Sequence, residues 1–138
     1  YSAFYLSAIH EDRFKTFVSH DGIYNWKSMY GTTEELFFLN WDLGGSYWDK
    51  GNKDAHASHT IFNPSERVQD WTSPILIIQG GIDFRVPIGQ GLEAFQAAQL
   101  QGIKSRLLYF PEENHWVLDY QNSLIWHTEF YKWLNETL

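Results

Sequence analysis

Two short, nearly continuous apolar runs constrain the fold of this chain more than any other feature: Ile75-Leu76-Ile77-Ile78 and Leu107-Leu108-Tyr109-Phe110. Runs of this length, bounded by turn residues, read as strands buried on both faces, which is the habit of a parallel sheet. Between them Ile88, Leu92, Phe95 and Gln99 recur at about the 3.6-residue period of a helix, and Gly102 supplies the stop. Beyond the second run, Trp126, Phe130, Trp133 and Leu134 mark the inner face of a carboxy-terminal helix. The order β-α-β-α predicts an α/β fold, a parallel sheet flanked by helices with right-handed crossovers.

The first half is less regular. Ala3, Phe4, Leu6, Ala8 and Ile9 predict a mostly buried helix over residues 1–10. Phe14 to Ser19 reads as a short strand, ended by the turn residues His20-Asp21-Gly22. From Ile23 to Trp48 the chain is aromatic-rich and irregular, with one helix expected over 33–40, capped by Thr32 or Thr33 and carrying Glu34 and Glu35 in its first turn. Residues 49–73 read as connection, apart from a short helix opening at Asn63-Pro64-Ser65. Strands near 14–19, 74–79 and 105–110 would make a thin parallel sheet that wants neighbours. That thin sheet, and a helix with no cap residue at its start, predict that residues 1–138 are the carboxy-terminal portion of a larger α/β domain.

Composition narrows the function classes. Seventeen acids against 10 bases give a formal charge of -7, and no basic cluster interrupts it, which argues against nucleic acid and anionic lipid as partners. The absence of cysteine removes disulfides and thiolate chemistry while leaving the compartment open. No stretch approaches the roughly 18 consecutive apolar residues of a membrane span. The 18% aromatic content can fill a core or line a recognition pocket.

Asp83 and His115 stand just past the two clearest strands. In open α/β sheets chemistry gathers outside the carboxyl ends of the strands, so the two side chains are expected to meet there as the acid and base of a hydrolase triad. The order acid then histidine is that of the α/β-hydrolases, whose nucleophile comes first; no G-x-S-x-G elbow occurs in the chain. Asp21, also after a strand, is the rival acid. His56 and His59 stand at i and i+3, but no third ligand at a recognisable spacing accompanies them, so no metal is expected. His10, His20 and His127 read as structural, His20 being the least settled because it follows a strand end.

Several ordered motifs then resemble one family. Gly81-Ile82-Asp83-Phe84-Arg85-Val86-Pro87 resembles the D-x-R-V-P motif of the prolyl oligopeptidase family, in its acylaminoacyl-peptidase and dipeptidyl-peptidase branches, including the bacterial dipeptidyl peptidase 5 type. Tyr109-Phe110-Pro111-Glu112-Glu113-Asn114-His115-Trp116 resembles the segment around the family's catalytic histidine, and His10-Glu11-Asp12-Arg13-Phe14-Lys15 the stretch that follows its nucleophile helix. The resemblance implies an α/β-hydrolase catalytic domain with Asp83 and His115 catalytic, a nucleophilic serine and oxyanion donors upstream of Tyr1, and an amino-terminal β-propeller. Ser2 and Ser7 lack the flanking glycines of a nucleophile, so the 138 residues alone are expected to be inactive. Ile23, Trp26, Tyr30 and Val86 would wall the pocket for the residue before the scissile bond. Arg85 would be structural, bonding to carbonyls or a carboxylate, and Gln79 departs from the histidine many relatives carry there.

The implied activity is a serine exopeptidase acting near the amino terminus of short peptides, with no metal or organic cofactor, homodimers among its relatives, and a bacterial periplasm favoured over the cytoplasm. An esterase on the same fold, or a non-catalytic binding module, are the alternatives.

Overall fold

All six residues of Ile75–Gly80 are buried, as a strand covered on both faces must be. The structure, a computed structural model, describes residues 1–138. In chain order the elements are helix α1 (Ser2–Leu6), strand β1 (Phe17–His20), helices α2 (Trp26–Thr32), α3 (Leu36–Leu43) and α4 (Lys53–His59), and a 3-10 helix at Pro64–Asp70. Strand β2 (Ile75–Gly80), helix α5 (Gly89–Leu100), strand β3 (Ser105–Phe110) and helix α6 (Tyr120–Thr137) follow. The sheet has the order β1-β2-β3 and is parallel throughout, with Phe17 paired to Ile75 and Ile75 to Ser105. No helix is long and apolar enough to cross a membrane.

Alternation along β2 divides the core. Ile75 and Ile77 face α1 and α5, joining Phe4, Phe17, Tyr24, Trp71, Ala94 and Ala98, while Leu76 and Ile78 face α6, with Phe110 and Trp133. Each fully buried branched side chain there is worth about 1.5–3 kcal/mol relative to exposure. The α6 face is largely the expected one, since Trp126 and Leu134 pack against this cluster beside the buried Trp133, while Phe130 stacks on Trp126. The α5 face is not. Gln90, Gly91, Ala94 and Ala98 are its buried positions, whereas Leu92 and Gln99 are exposed. The helix sits so close to the sheet that a Cβ on Gly91 would come within 2.9 Å of Gln79 Oε1, and only small residues allow that approach.

Five further expectations change. The first helix stops at Leu6, where the bonds tighten to a three-residue spacing, Ala8 N–H to Tyr5 O at 3.2 Å and Ile9 N–H to Leu6 O at 3.1 Å; the chain then turns at Glu11 and Asp12 through positive φ of 51° and 60°, and His10 Nδ1 accepts from the Phe14 N–H at 3.3 Å. The strand therefore starts at Phe17 instead of 14 and includes His20. Residues 26–32 are helical where an irregular stretch was expected, with Asn25 as cap, its side chain accepting from Lys27 N–H at 3.1 Å. Thr33 ends that helix and does not start the next, so α3 runs from Leu36. Residues 53–59, expected as connection, form a helix capped by Asn52, which accepts from Ala55 N–H at 3.1 Å.

Candidate active site

Parallel strands end at one edge of the sheet, and the loops after β2 and β3 meet there. Asp83 Oδ2 lies 2.7 Å from His115 Nδ1. The other carboxylate oxygen accepts from the backbone N–H groups of Arg85 at 3.0 Å and Val86 at 2.9 Å, so the loop itself fixes the acid's orientation. A carboxylate only accepts, which makes Nδ1 the protonated nitrogen of a neutral His115 and leaves Nε2 with its lone pair. The Asp83 side chain is 0% exposed and that of His115 26%. A sealed acid behind a part-open imidazole is an arrangement for holding a general base.

Gly80 and Gly81 explain why these loops touch. A Cβ on Gly80 would collide with the backbone oxygens of Asn114 and Glu113, and one on Gly81 with the carbonyl of Pro111 and the Tyr109 hydroxyl. The bare backbone admits the histidine loop, with Gly81 N–H donating to Phe110 O at 2.8 Å and Ile82 N–H to Glu113 O at 3.0 Å. Gln79, the departure from the family pattern, donates from Nε2 to Val86 O at 2.9 Å and ties the acid's loop from beneath. Arg85 bonds to a carboxylate: its Nε and Nη2 lie 3.0 and 2.8 Å from Glu35 Oε1.

Glu113 is a site residue that sequence reasoning passed over. Its carboxylate accepts from Asn122 Nδ2 at 2.7 Å, from Leu118 N–H at 2.9 Å and from Asp119 N–H at 3.1 Å, closing the loop that carries His115 onto the start of α6. Those bonds, the Asn122 amide first, hold its carboxyl below the usual range. Its place two residues before a strand-end histidine was the available signal.

The rival acid is also present. Asp21, just past β1, has φ 46° and accepts from Gly80 N–H at 3.0 Å through Oδ1. Ligand-type atoms of Asp21, Asp83 and His115 all lie within 4.8 Å of one another. Of the acidic and histidine side chains this is the one set of three that could hold a metal ion, but Nδ1 and Oδ2 are already bonded to each other, so an ion there would have to displace that proton.

An open concavity of about 360 Å³ adjoins His115, lined also by Glu34, Ile82, Phe84, Arg85, Asn114 and Trp116. No serine, threonine or cysteine is among its lining residues. The four expected wall residues are not on it. Ile23, Trp26, Tyr30 and Val86 come together instead in one buried cluster with Met29, Leu39 and Leu43. Ile23 and Trp26 reach a second hollow of about 450 Å³, shared with Tyr1, Phe38 and Phe62. Buried amides hold this cluster: Gln90 Oε1 accepts from the N–H groups of Tyr24 and Asn25 at 2.9 and 2.8 Å, and Asn63 Oδ1 from Trp26 N–H at 3.0 Å.

The remaining histidines divide. His10 is buried, with Nε2 3.2 Å from Ser73 Oγ, and His127 Nδ1 bonds to Ser123 O at 2.8 Å; both are structural. His56 is exposed as expected, but His59 is only 1% exposed. Its Nε2 donates to Gly45 O at 3.0 Å, and burial pushes its pKa down.

Comparison with known proteins places the chain. Residues 1–138 match the prolyl oligopeptidase family along their whole length. Over 138 residues the chain is 45% identical to dipeptidyl-peptidase 5 of Porphyromonas gingivalis, a match covering 100% of this chain and 20% of that protein. It is 39% identical over 122 residues to dipeptidyl-peptidase 5 of Schizosaccharomyces pombe, 88% of this chain and 17% of that one. The chain thus spans about a fifth of the length of the curated relatives it matches. Among solved structures it superposes on Pyrococcus horikoshii acylaminoacyl peptidase with TM-score 0.83 and 18% identity, over 100% of this chain and 23% of that one. With Porphyromonas gingivalis dipeptidyl peptidase 4 the TM-score is 0.78 at 13% identity, over 95% and 17%. These likenesses bear out the α/β-hydrolase fold, and by its match over every residue the chain belongs to the prolyl oligopeptidase family.

Proposed function

We propose that these residues form the carboxy-terminal portion of the catalytic domain of a serine peptidase, and supply its acid and base. Asp83 orients His115 and stabilises the imidazolium; Nε2 of His115 takes the hydroxyl proton of a serine contributed from outside the 360 Å³ concavity's lining and returns it to the leaving amine. The substrates are short peptides cleaved near their amino termini, in the dipeptidyl- or acylaminoacyl-peptidase manner, with Ile23 and Trp26, which reach the 450 Å³ hollow, lining the pocket for the residue before the scissile bond, and Tyr30 and Val86 packed behind them. The observation that carries this reading is the 2.7 Å bond between His115 Nδ1 and a buried Asp83.

The test uses the complete protein that carries this chain, assayed on a dipeptidyl amide and on the matching ester. His115→Ala and Asp83→Asn should each lower kcat on the amide by about 10³–10⁴-fold, since triad members act as a unit. The 138-residue chain alone should neither turn over the amide nor react with a fluorophosphonate. Hydrolysis of the ester with the amide untouched would replace the peptidase by an esterase, and full amide activity in His115→Ala would end the triad reading.

A further inference from the structure

One buried group at this site has no task in the acid–base pair. Asp21 follows β1 as Asp83 follows β2, and the register that pairs His20 with Ile78 sets it beside Gly80. Its side chain is 2% exposed. Oδ2 has no aligned hydrogen-bond partner, although His20 Nε2 is 3.1 Å away. The residue also keeps φ at 46°, a left-handed conformation that side chains other than glycine, asparagine and aspartate seldom adopt. Two carboxylates and an imidazole whose atoms lie within 4.8 Å of one another carry two negative charges while the ring is neutral and one once it takes up a proton, so both acids attract the imidazolium.

We propose that Asp21 is a second positioning carboxylate of the site: it faces the imidazolium that His115 becomes during turnover, and it serves as that ring's partner when Asp83 is neutralised. The inference rests on the reading of Asp83 and His115 as acid and base. No proton moves to Asp21; the proton taken up at Nε2 leaves with the amine. Other titratable or charged groups stand on the neighbouring elements. They are His20 on β1, Glu34 between α2 and α3, Arg85 after β2, Glu113 after β3, and His127 on α6, which shares a hollow of about 230 Å³ with His20. Among them His20 alone forms a close ion-pair contact with Asp21, for Arg85 is engaged with Glu35 and Glu113 with the start of α6.

The experiment is a double-mutant cycle in the complete protein. Asp21→Asn keeps an acceptor for the Gly80 N–H and tolerates the left-handed backbone, so it removes charge and little else. It should lower kcat on a dipeptidyl amide by about 3–30-fold with KM within about twofold, and move the acidic limb of the pH–rate profile to lower pH, because one negative charge fewer faces the imidazolium. In the Asp83→Asn background the same change should cost at least about tenfold more than it does in the wild type, since the two carboxylates back each other. If Asp21→Asn lowers Tm by more than about 2 °C, Asp21→Gly, which relieves φ, replaces it in the cycle. Wild-type kcat and pH profile in the charge-removing variant, or an equal effect in both backgrounds, overturns the proposal. His115→Ala separates the two failures: if it is inactive while Asp21 proves silent, only this inference falls, whereas an active His115→Ala removes the reading on which it stands.

Discussion

Asp83 and His115 were legible from their places at strand ends, but the groups that hold them were not. Glu113 sits among loop residues in the sequence, and only the folded loop turns its carboxylate toward two backbone N–H groups and Asn122. The depressed carboxyl gives a pH test. A folded-state pKa below the ordinary 4.5 means that the carboxylate's stabilisation is complete above pH 4.5 and is lost as the pH falls from there through the lower folded value. Glu113→Gln should therefore lower Tm by about 2–4 °C at pH 7, and the gap to the wild type should close below pH 4.5. Thermal melts across that range check it; a gap that stays constant down to acid pH would mean that packing, not charge, is what Glu113 supplies. The aromatic residues show the reverse limit. Trp26 and Tyr30 were read as pocket wall, yet burial, the Tyr30 hydroxyl bond to Asn40 Oδ1 at 2.7 Å and edge-on rings at Tyr47 and Trp48 make them core as well.

At the scale of elements, long periodic segments were readable and short capped ones were not. α6 carries enough repeats to show its period and β2 shows itself as an unbroken apolar run, whereas α2 and α4, at 7 residues each, announce themselves only by Asn25 and Asn52 as caps. The face of α5 was misread for a packing reason: closeness to the sheet selects Gly91, Ala94 and Ala98, which carry no hydrophobic signal of large residues. Closeness also governs the end of β2. Gly80→Ala would place a methyl group into the backbone of residues 113 and 114, and should destabilise the fold by about 1–3 kcal/mol as overpacking does. Because the displaced loop carries His115, turnover by the complete protein should fall as well. A urea melt beside a peptidase assay tests this, and unchanged values in both would show that the histidine loop yields freely.

Taken whole, the molecule exposes more apolar surface than its core explains. Phe37 and Trp41, four residues apart on one side of α3, are 80% and 81% exposed, and Leu118 is 73% exposed. β1 and β3 are both edges of the three-stranded sheet. Open edges and contiguous aromatic surface favour association. The isolated 138-residue chain should scatter light as a species larger than 16.3 kDa at micromolar concentration, and Phe37→Lys combined with Trp41→Lys should shift it toward the monomer. A monodisperse 16.3 kDa particle would show that these surfaces do not drive self-association.

By itself the amino-acid sequence determined the parallel α/β order, the strand ends that carry Asp83 and His115, and the inner face of α6, because hydrophobic period and strand-end position are local properties of the chain. Tertiary structure alone decided which side chains face one another across loops: the 2.7 Å bond of His115 to Asp83, the clamp at Glu113, and the arrival of Asp21 within 4.8 Å of both. Those contacts depend on how three parallel strands align their carboxyl ends and how closely bare glycine backbone lets neighbouring loops approach, and no window of sequence contains that distance.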